Sequence, residues 1–267
     1  MKKLMTAILT AGLLGTCMAR SLAAEPVYKY GNGEKKGNIL TVAVAWKQTA
    51  AEYRALYHQA FNIAQERVDQ ALAARKPGDK PLCVVTKHDA FDDSLWDEHI
   101  KQDKLTAAPG ALDFLNYCKS KGVEVFYVTS RDQGEGTYGY ALKNLQDLSF
   151  PYADKDHLTV LVDTSNKEKE QKKIAQTHNI AVYLGDSLND FQRVYYVKDV
   201  DQRNALMEKD KDLFGKKFIL MPNPTDGHWV RAIFGESEPA PTKKNRETWK
   251  KAAEKQQSQV IREHMGK

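Results

Sequence analysis

Tyr183-Leu184-Gly185-Asp186-Ser187-Leu188-Asn189-Asp190-Phe191 is the segment on which our prediction of the fold depends most. It completes an apolar run that begins at Ile180, and a glycine and two acidic residues follow that run closely. A short, continuous apolar run of this kind is typical of a strand buried in a parallel sheet. The sequence therefore predicts a buried strand with the carboxylates of Asp186 and Asp190 just beyond its carboxyl end.

Similar apolar runs end in polar residues at three other places. They are Leu82–Thr86 before Lys87-His88-Asp89, Val123–Thr129 before Ser130-Arg131, and His157–Val162 before the segment from Asp163 to Lys167. A late apolar run beginning at Phe218 predicts one more strand. Apolar residues at helical spacing predict helices between the strands, at residues 109–121, 139–148 and 167–178.

This alternation of strands and helices predicts an α/β fold. We expect a doubly wound, Rossmann-like parallel sheet with helices on both faces. Apolar and aromatic residues between Ile39 and Ala74 recur at helical spacing and predict a small helical cap, built largely from this N-terminal region. Ligands of such sheets bind at the carboxyl ends of the strands, where the polar residues of all four runs lie.

The first residues have the pattern of a targeting segment. Lys2 and Lys3 precede the apolar run Leu4–Leu14, and small residues lead to Ala24. This pattern predicts a signal peptide at residues 1–24 and an exported protein, periplasmic or at the cell surface. Lipid attachment at Cys17 is the alternative. No later stretch of the sequence is long and apolar enough to predict a transmembrane helix.

Length and composition are those of a globular protein. The chain has 267 residues, 42% of them hydrophobic and 28% charged. We predict one domain at residues 25–236, followed by a linker and a charged C-terminal helix at residues 237–267. The formal net charge of +5 falls to +2 once Lys2, Lys3 and Arg20 leave with the signal peptide. A charge this small does not favour a nucleic-acid partner.

Two cysteines remain in the predicted mature chain. Cys83 lies in a predicted strand and Cys118 in a predicted helix. We favour two buried free thiols, although an oxidising compartment leaves a disulfide between them open. The spacing of the cysteines does not match a metal site.

Three sequence features carry a resemblance to a known family. "FYVTSR" at residues 126–131, the later Lys167 and "YLGDSLNDF" at residues 183–191 resemble the class C acid phosphatases of the haloacid dehalogenase (HAD) superfamily, subfamily IIIB, which include lipoprotein 5'-nucleotidases. The resemblance extends to "ILTVAVAWKQTAAEYRALYHQAFNIA" at the start of the predicted domain and to "FGKKFILMPNPTDGHW" near its end. It implies the fold predicted above and a site for phosphate monoesters or nucleotides.

The resemblance also implies roles for particular residues. In that family the first strand ends in Asp-x-Asp, whose first aspartate attacks phosphorus while the second serves as general acid and base. Asp89 matches the acid/base, and Lys87 falls on the nucleophile. A magnesium ion is the family's cofactor, and Asp186 and Asp190 match its carboxylates, provided that metal binding is retained. Four residues match or adjoin the phosphate-binding motifs: Thr129, Ser130, Arg131 and Lys167.

Lys87 departs from the family pattern in a way that changes the chemistry. An ammonium group is a poor nucleophile near neutral pH, and it repels magnesium. Making Asp89 or Asp92 the nucleophile instead fits the spacing less well. The family's Glu-Thr after its second aspartate is also replaced, by Ala90-Phe91. We therefore expect Lys87 to reach Asp186 and to take the place of magnesium as a fixed cation.

Three functions remain open from the sequence. The first is a phosphatase-like pseudoenzyme that binds phosphate esters or nucleotides with lost or impaired hydrolysis. The second is an active acid phosphatase or 5'-nucleotidase. The third is an interaction protein that uses the fold as a platform. The sequence does not determine the oligomeric state.

Overall fold

The computed structural model describes residues 41–87, 106–130, 135–225, 228–236 and 239–254. These residues form a five-stranded sheet in the order β3-β2-β1-β4-β5, and every neighbouring pair is parallel. The strands are β1 (Leu82–Thr86), β2 (Glu124–Ser130), β3 (Leu158–Leu161), β4 (Asn179–Gly185) and β5 (Phe218–Leu220). The prediction of a doubly wound parallel α/β fold is confirmed.

The helices of the described residues alternate with these strands. They are α1 (Thr41–Thr49), α2 (Ala51–Ala74), α3 (Ala111–Ser120), α4 (Thr137–Asp147), α5 (Glu168–Thr177), α6 (Val200–Lys209), α7 (His228–Phe234) and α8 (Lys243–Glu254). Short 3-10 helices occur at Leu188–Asp190, Arg193–Tyr195 and Lys211–Leu213. No helix in these ranges is long and apolar enough to cross a membrane.

The strand order creates a switch point between β1 and β4. From β1 the chain goes to β2 and β3 on one side and then crosses to β4 and β5 on the other. Thr86 pairs with Leu184 in the register, and the Lys87 backbone N–H donates to the Leu184 carbonyl at 3.0 Å. The residues that follow β1 and β4 therefore meet at the switch point, where open α/β sheets bind ligands.

Two apolar cores cover the two faces of the sheet, because alternate side chains of a strand point to opposite faces. The larger core contains Val84 of β1, Val125 of β2 and Val182 of β4. The smaller core contains Cys83 and Val85 of β1. Cys118 lies in the larger core, and both cysteines are buried and free, which confirms the prediction of two free thiols. Burial raises the pKa of each of these two thiols to about 12.

The N-terminal helical segment is interrupted, unlike the single periodic stretch in the sequence. Ala50 has an extended backbone conformation (φ −79°, ψ 125°) and separates α1 from α2. Helix α2 packs on β4 and β5, and it buries Tyr53, Tyr57 and Phe61 in the larger core. The helix is therefore part of the domain's core, and its role as a cap stays a prediction.

The C-terminal helix is anchored to the domain. The sequence predicts a linker and a charged helix within residues 237–267, and α8 spans Lys243–Glu254. The Trp249 ring lies 5.4 Å from Trp229 and 4.8 Å from Phe234, measured between ring centroids. Aromatic contacts with α7 therefore hold α8 against the domain. A helix with only charged side chains would have no such contacts. The predicted signal peptide and Cys17 lie outside the described residues.

Candidate functional site

Lys87 and Asp186 form an ion pair at the switch point. The Lys87 Nζ lies 2.7 Å from Asp186 Oδ1, and 15% of the lysine side chain and 3% of the aspartate side chain are exposed. The second carboxylate oxygen, Oδ2, accepts a hydrogen bond from the Asn223 side-chain amide. Lys87 is thus within reach of Asp186, as expected from the sequence.

A second ion pair, between Lys167 and Asp190, lies deeper. The Lys167 Nζ donates to Asp190 Oδ1 at 2.6 Å, and the two side chains are 3% and 2% exposed. The other oxygen, Asp190 Oδ2, accepts from the backbone N–H groups of Asp186 and Ser187, at 3.2 and 2.9 Å. Asp190 therefore fixes the loop that presents Asp186, while Lys167 neutralises the buried carboxylate of Asp190.

Two further contacts hold this loop. Ser187 and Asp190 form a capping box around the 3-10 helix that begins at Leu188. The Gln171 side-chain amide donates to the Asp190 carbonyl at 2.6 Å. Gly185 makes the sharp turn possible, because a Cβ placed there would lie only 2.6 Å from Asp190 Cβ.

The predicted phosphate-binding residues of β2 lie at the same edge of the sheet. Thr129 is buried and follows two positions after Tyr127, the register partner of Thr86. Ser130 is half-buried at the end of the strand. Asp89 and Arg131 lie outside the described residues, and their predicted roles stay predictions. The structure thus brings together Lys87, Thr129, Ser130, Lys167, Asp186 and Asp190 at one edge of the sheet.

The described residues do not fit a magnesium ion. Magnesium requires several oxygen ligands in near-octahedral geometry. Both oxygens of Asp186 already accept hydrogen bonds, and so do both oxygens of Asp190. The Lys87 ammonium stands where a cation would neutralise Asp186, and no group of three or more His, Cys, Asp or Glu in the described ranges could hold a metal.

The sequence interpretation missed Asn223 and the surroundings of His228. Asn223 lies 37 residues from Asp186 in the chain, and its Oδ1 accepts from the backbone N–H and hydroxyl of Thr225, which fixes its amide towards Asp186. Burial lowers the pKa of His228 to about 3, and the charges of Arg203, Arg231, Lys87 and Lys167 add to this effect. The only sequence signal for Asn223 was its place in the "FGKKFILMPNPTDGHW" motif.

Gly185→Ala is expected to destabilise the protein by about 1–3 kcal/mol, because the added methyl group would overlap Asp190 and displace the loop. The free energy of unfolding, measured with urea, tests this expectation. Gly139→Ala is the matched control: Gly139 lies in α4 and its Cβ would meet no atom within 4 Å. The control is expected to be neutral or stabilising, since alanine favours helix over glycine by about 0.5–1 kcal/mol. Equal effects at both positions would contradict the close approach at Gly185.

His228 makes the stability of the fold sensitive to acid. Its pKa is about 3 in the folded chain, against an ordinary value of 6.5, so the unfolded chain binds a proton first as the pH falls. The resulting stability is fully present above pH 6.5 and is lost between pH 6.5 and pH 3, at up to about 1.4 kcal/mol per pH unit.

Urea unfolding at about pH 7 and pH 5 measures this loss. His228→Gln is expected to lose less stability than the wild type, by up to about 2 kcal/mol, over that interval. His58→Gln, which changes an exposed histidine of α2, is the control for the replacement of a histidine by glutamine. An unchanged pH dependence in His228→Gln would show that another group causes the acid sensitivity.

The fold and the site define a class of protein. The fold is a parallel α/β sheet, with the Gly185-Asp186 loop after β4 and Lys167 just before α5 close to one another at the switch point. A family model for the HAD superfamily, subfamily IIIB (acid phosphatase), matches residues 84–229, and the chain belongs to this family.

Two solved structures show the same relationship. The chain is similar to the class C acid phosphatase from Bacillus anthracis, with 32% sequence identity and a TM-score of 0.70. The match covers 82% of this chain and 97% of that one. A second structure of that enzyme, with tungstate bound, matches with the same identity, coverage and TM-score.

Proposed function

We propose that this chain is an exported pseudoenzyme of the class C acid phosphatase family, which binds phosphate esters or nucleotides but has lost efficient hydrolysis. The observation that carries the proposal is the ion pair between Lys87 and Asp186 at 2.7 Å. The pair lies at the carboxyl end of the central strand β1, where the resemblance implies the family's nucleophilic carboxylate, and this supports the proposal. The predicted signal peptide supports a periplasmic or cell-surface location.

Lys87 is unsuited to nucleophilic attack in this arrangement. Its ammonium group donates a hydrogen bond to Asp186, and an ammonium nitrogen has no lone pair to offer to phosphorus. A lysine nucleophile requires the neutral amine, which a neighbouring carboxylate disfavours. The family's first chemical step is therefore not available to this side chain.

The charge of the site nevertheless suits an anion. An aspartate together with a magnesium ion carries a net charge of +1, which is also the charge of one lysine. Replacing that pair by Lys87 therefore preserves the charge that faces a phosphate group, without a metal. Thr129 and Ser130 add hydroxyl groups at the same edge of the sheet. The tungstate held by the Bacillus anthracis enzyme supports an oxyanion as the ligand class.

Isothermal titration calorimetry and an activity assay on the mature protein test the proposal together. Inorganic phosphate and a nucleoside monophosphate are the binding probes, each titrated with a metal chelator and again with magnesium. We expect binding that does not depend on magnesium, and no turnover of a chromogenic phosphate monoester or of the nucleotide at acid or neutral pH.

Two variants show whether binding uses the predicted site. Lys87→Met is expected to weaken phosphate binding by about tenfold or more, because it removes a charged hydrogen-bond donor. Lys76→Met, in the exposed turn before β1 at the opposite edge of the sheet, should bind as the wild type does. Magnesium-dependent turnover by the wild type would instead establish an active phosphatase. Absence of both binding and turnover would favour the interaction-platform function.

A further inference from the structure

A group of basic and aromatic side chains lies beside the Lys87–Asp186 site, on α6, α7 and the 3-10 segment before α6. We call Arg193, Tyr196, Arg203, His228 and Arg231 the arginine cluster. The Arg193 and Arg231 guanidinium carbons lie over the Tyr196 ring, 3.4 and 4.8 Å from its centroid. The His228 ring centroid is 4.5 Å from that of Tyr196. Helices α6 and α7, which carry the other members, pack against each other.

The cluster contains buried nitrogen atoms without hydrogen-bond partners. These are Arg203 Nε, Arg231 Nε and His228 Nδ1. An unsatisfied buried donor is costly, and a buried cation without a counter-charge is more costly. No carboxylate in the described ranges forms an ion pair with Arg203 or Arg231, while Arg193 donates to the Ser165 hydroxyl at 2.9 Å. The cluster thus combines positive charge with N–H groups of Arg203 and Arg231 that have no hydrogen-bond partner.

The arginine cluster is electrostatically continuous with the site. The charges of Lys87 and Lys167 act on the His228 imidazole together with those of Arg203 and Arg231. The Asp190 carboxylate in turn acts on Arg203. Asp190 does not neutralise the cluster, because it is already paired with Lys167 at 2.6 Å. Lys87 and Lys167 are likewise paired, with Asp186 and Asp190, so the surplus positive charge beside the site is that of the three arginines of the cluster.

We propose that the arginine cluster binds a second phosphate group of the ligand, so that the chain selects diphosphates or bisphosphates over monophosphates. The inference rests on the proposed function, in which Lys87 faces the first phosphate group. Guanidinium groups suit this task because their donors match phosphate oxygens in pairs. A phosphate group at the exposed part of the half-buried Arg203 and Arg231 side chains would supply their missing counter-charge.

Calorimetry on the full mature chain, without magnesium, tests the inference with three probes: inorganic phosphate, inorganic diphosphate and a nucleoside 3',5'-bisphosphate. The diphosphate tests adjacent phosphate groups, and the bisphosphate tests groups held further apart. We expect at least one of the two to bind about tenfold or more tightly than inorganic phosphate, because of the additional charged hydrogen bonds.

Arg203→Gln and Arg231→Gln are the test variants, and Arg54→Gln is the matched control on the exposed surface of α2. Each test variant is expected to bind the preferred probe about tenfold to a hundredfold more weakly than the wild type, with little change for inorganic phosphate. Arg54→Gln should keep the wild-type preference.

Thermal unfolding separates a ligand-binding role from a structural one. The preferred probe should raise the Tm of the wild type and of Arg54→Gln, but not that of the two test variants. Without ligand, the Tm of the test variants should be unchanged or higher, because a buried unpaired charge has been removed.

Three other outcomes would overturn the inference. Equal binding of all three probes would show that only one phosphate group is held, and the proposed function would survive. Binding of no probe would overturn both proposals. A large fall in the Tm of ligand-free Arg203→Gln and Arg231→Gln, with the preference for the larger probe retained, would assign the arginines to the fold alone.

Discussion

Lys87→Asp is expected to turn the site into a magnesium site with hydrolytic activity. The substitution places a carboxylate beside Asp186, whose Oδ1 then loses its ammonium partner at 2.7 Å. Two neighbouring carboxylates repel each other unless a cation lies between them, and carboxylate oxygens are ligands that magnesium prefers. We expect magnesium-dependent hydrolysis of a phosphate monoester at least about a thousandfold above the wild type, since removal of a catalytic nucleophile typically costs more than that.

The stability of the same variant provides a second measurement. Without magnesium, Lys87→Asp should be less stable than the wild type, because Asp186 remains buried beside a like charge. Magnesium should raise the Tm of the variant and leave that of the wild type unchanged, since only the variant binds the ion in its folded state.

Lys87→Asn is the control for this experiment. It has nearly the same size as the aspartate variant but no carboxylate, so it should show neither turnover nor stabilisation by magnesium. If Lys87→Asp behaves like Lys87→Asn in both assays, Lys87 does not occupy the nucleophile position of the family.

Lys167→Met is expected to destabilise the fold by about 3–5 kcal/mol, because it leaves the Asp190 carboxylate charged and buried without its cation. The remaining partners of that carboxylate are the backbone N–H groups of Asp186 and Ser187, which do not carry a full positive charge. Urea unfolding measures the change in the free energy of unfolding.

Two comparisons make the result for Lys167 specific. Lys172→Met removes an exposed lysine of α5, the helix that begins directly after Lys167. Its pair with Glu168 has an N–O distance of 3.5 Å, and the substitution should cost less than about 1 kcal/mol. The double variant Lys167→Met/Asp190→Asn should recover part of the stability lost in Lys167→Met, because the unpaired charge is gone. A small effect of Lys167→Met alone would mean that water reaches Asp190 despite its burial.

Much of the fold was predictable because it depends on local pattern. Each strand of the sheet is a short apolar run, and burial on both faces of a parallel sheet requires such runs. Helix α6 was not predicted, because it has no fully buried residue and its sequence lacks a clear apolar stripe. The break at Ala50 was also missed, since helical periodicity continues on both sides of it.

The sequence predicted that Lys87 and Asp186 would lie close together, but it did not predict every contact within the candidate site. The rule that parallel strands end at one edge of a sheet predicted that Lys87 and Asp186 lie close together. It did not indicate that Lys167, matched to a phosphate-binding lysine, donates to Asp190. The predicted phosphate-binding role of Lys167 remains a prediction, and the ion pair shows only which carboxylate it neutralises.

The local sequence predicts the strands, their polar ends and the lysine that follows the first strand, because each of these is a property of neighbouring residues. The order β3-β2-β1-β4-β5, the contact of Asn223 with Asp186 and the arginine cluster beside the site are visible only in the folded chain. These features join residues that are far apart in the chain. Their distances depend on how the whole sheet and its helices pack, and no local pattern records that packing.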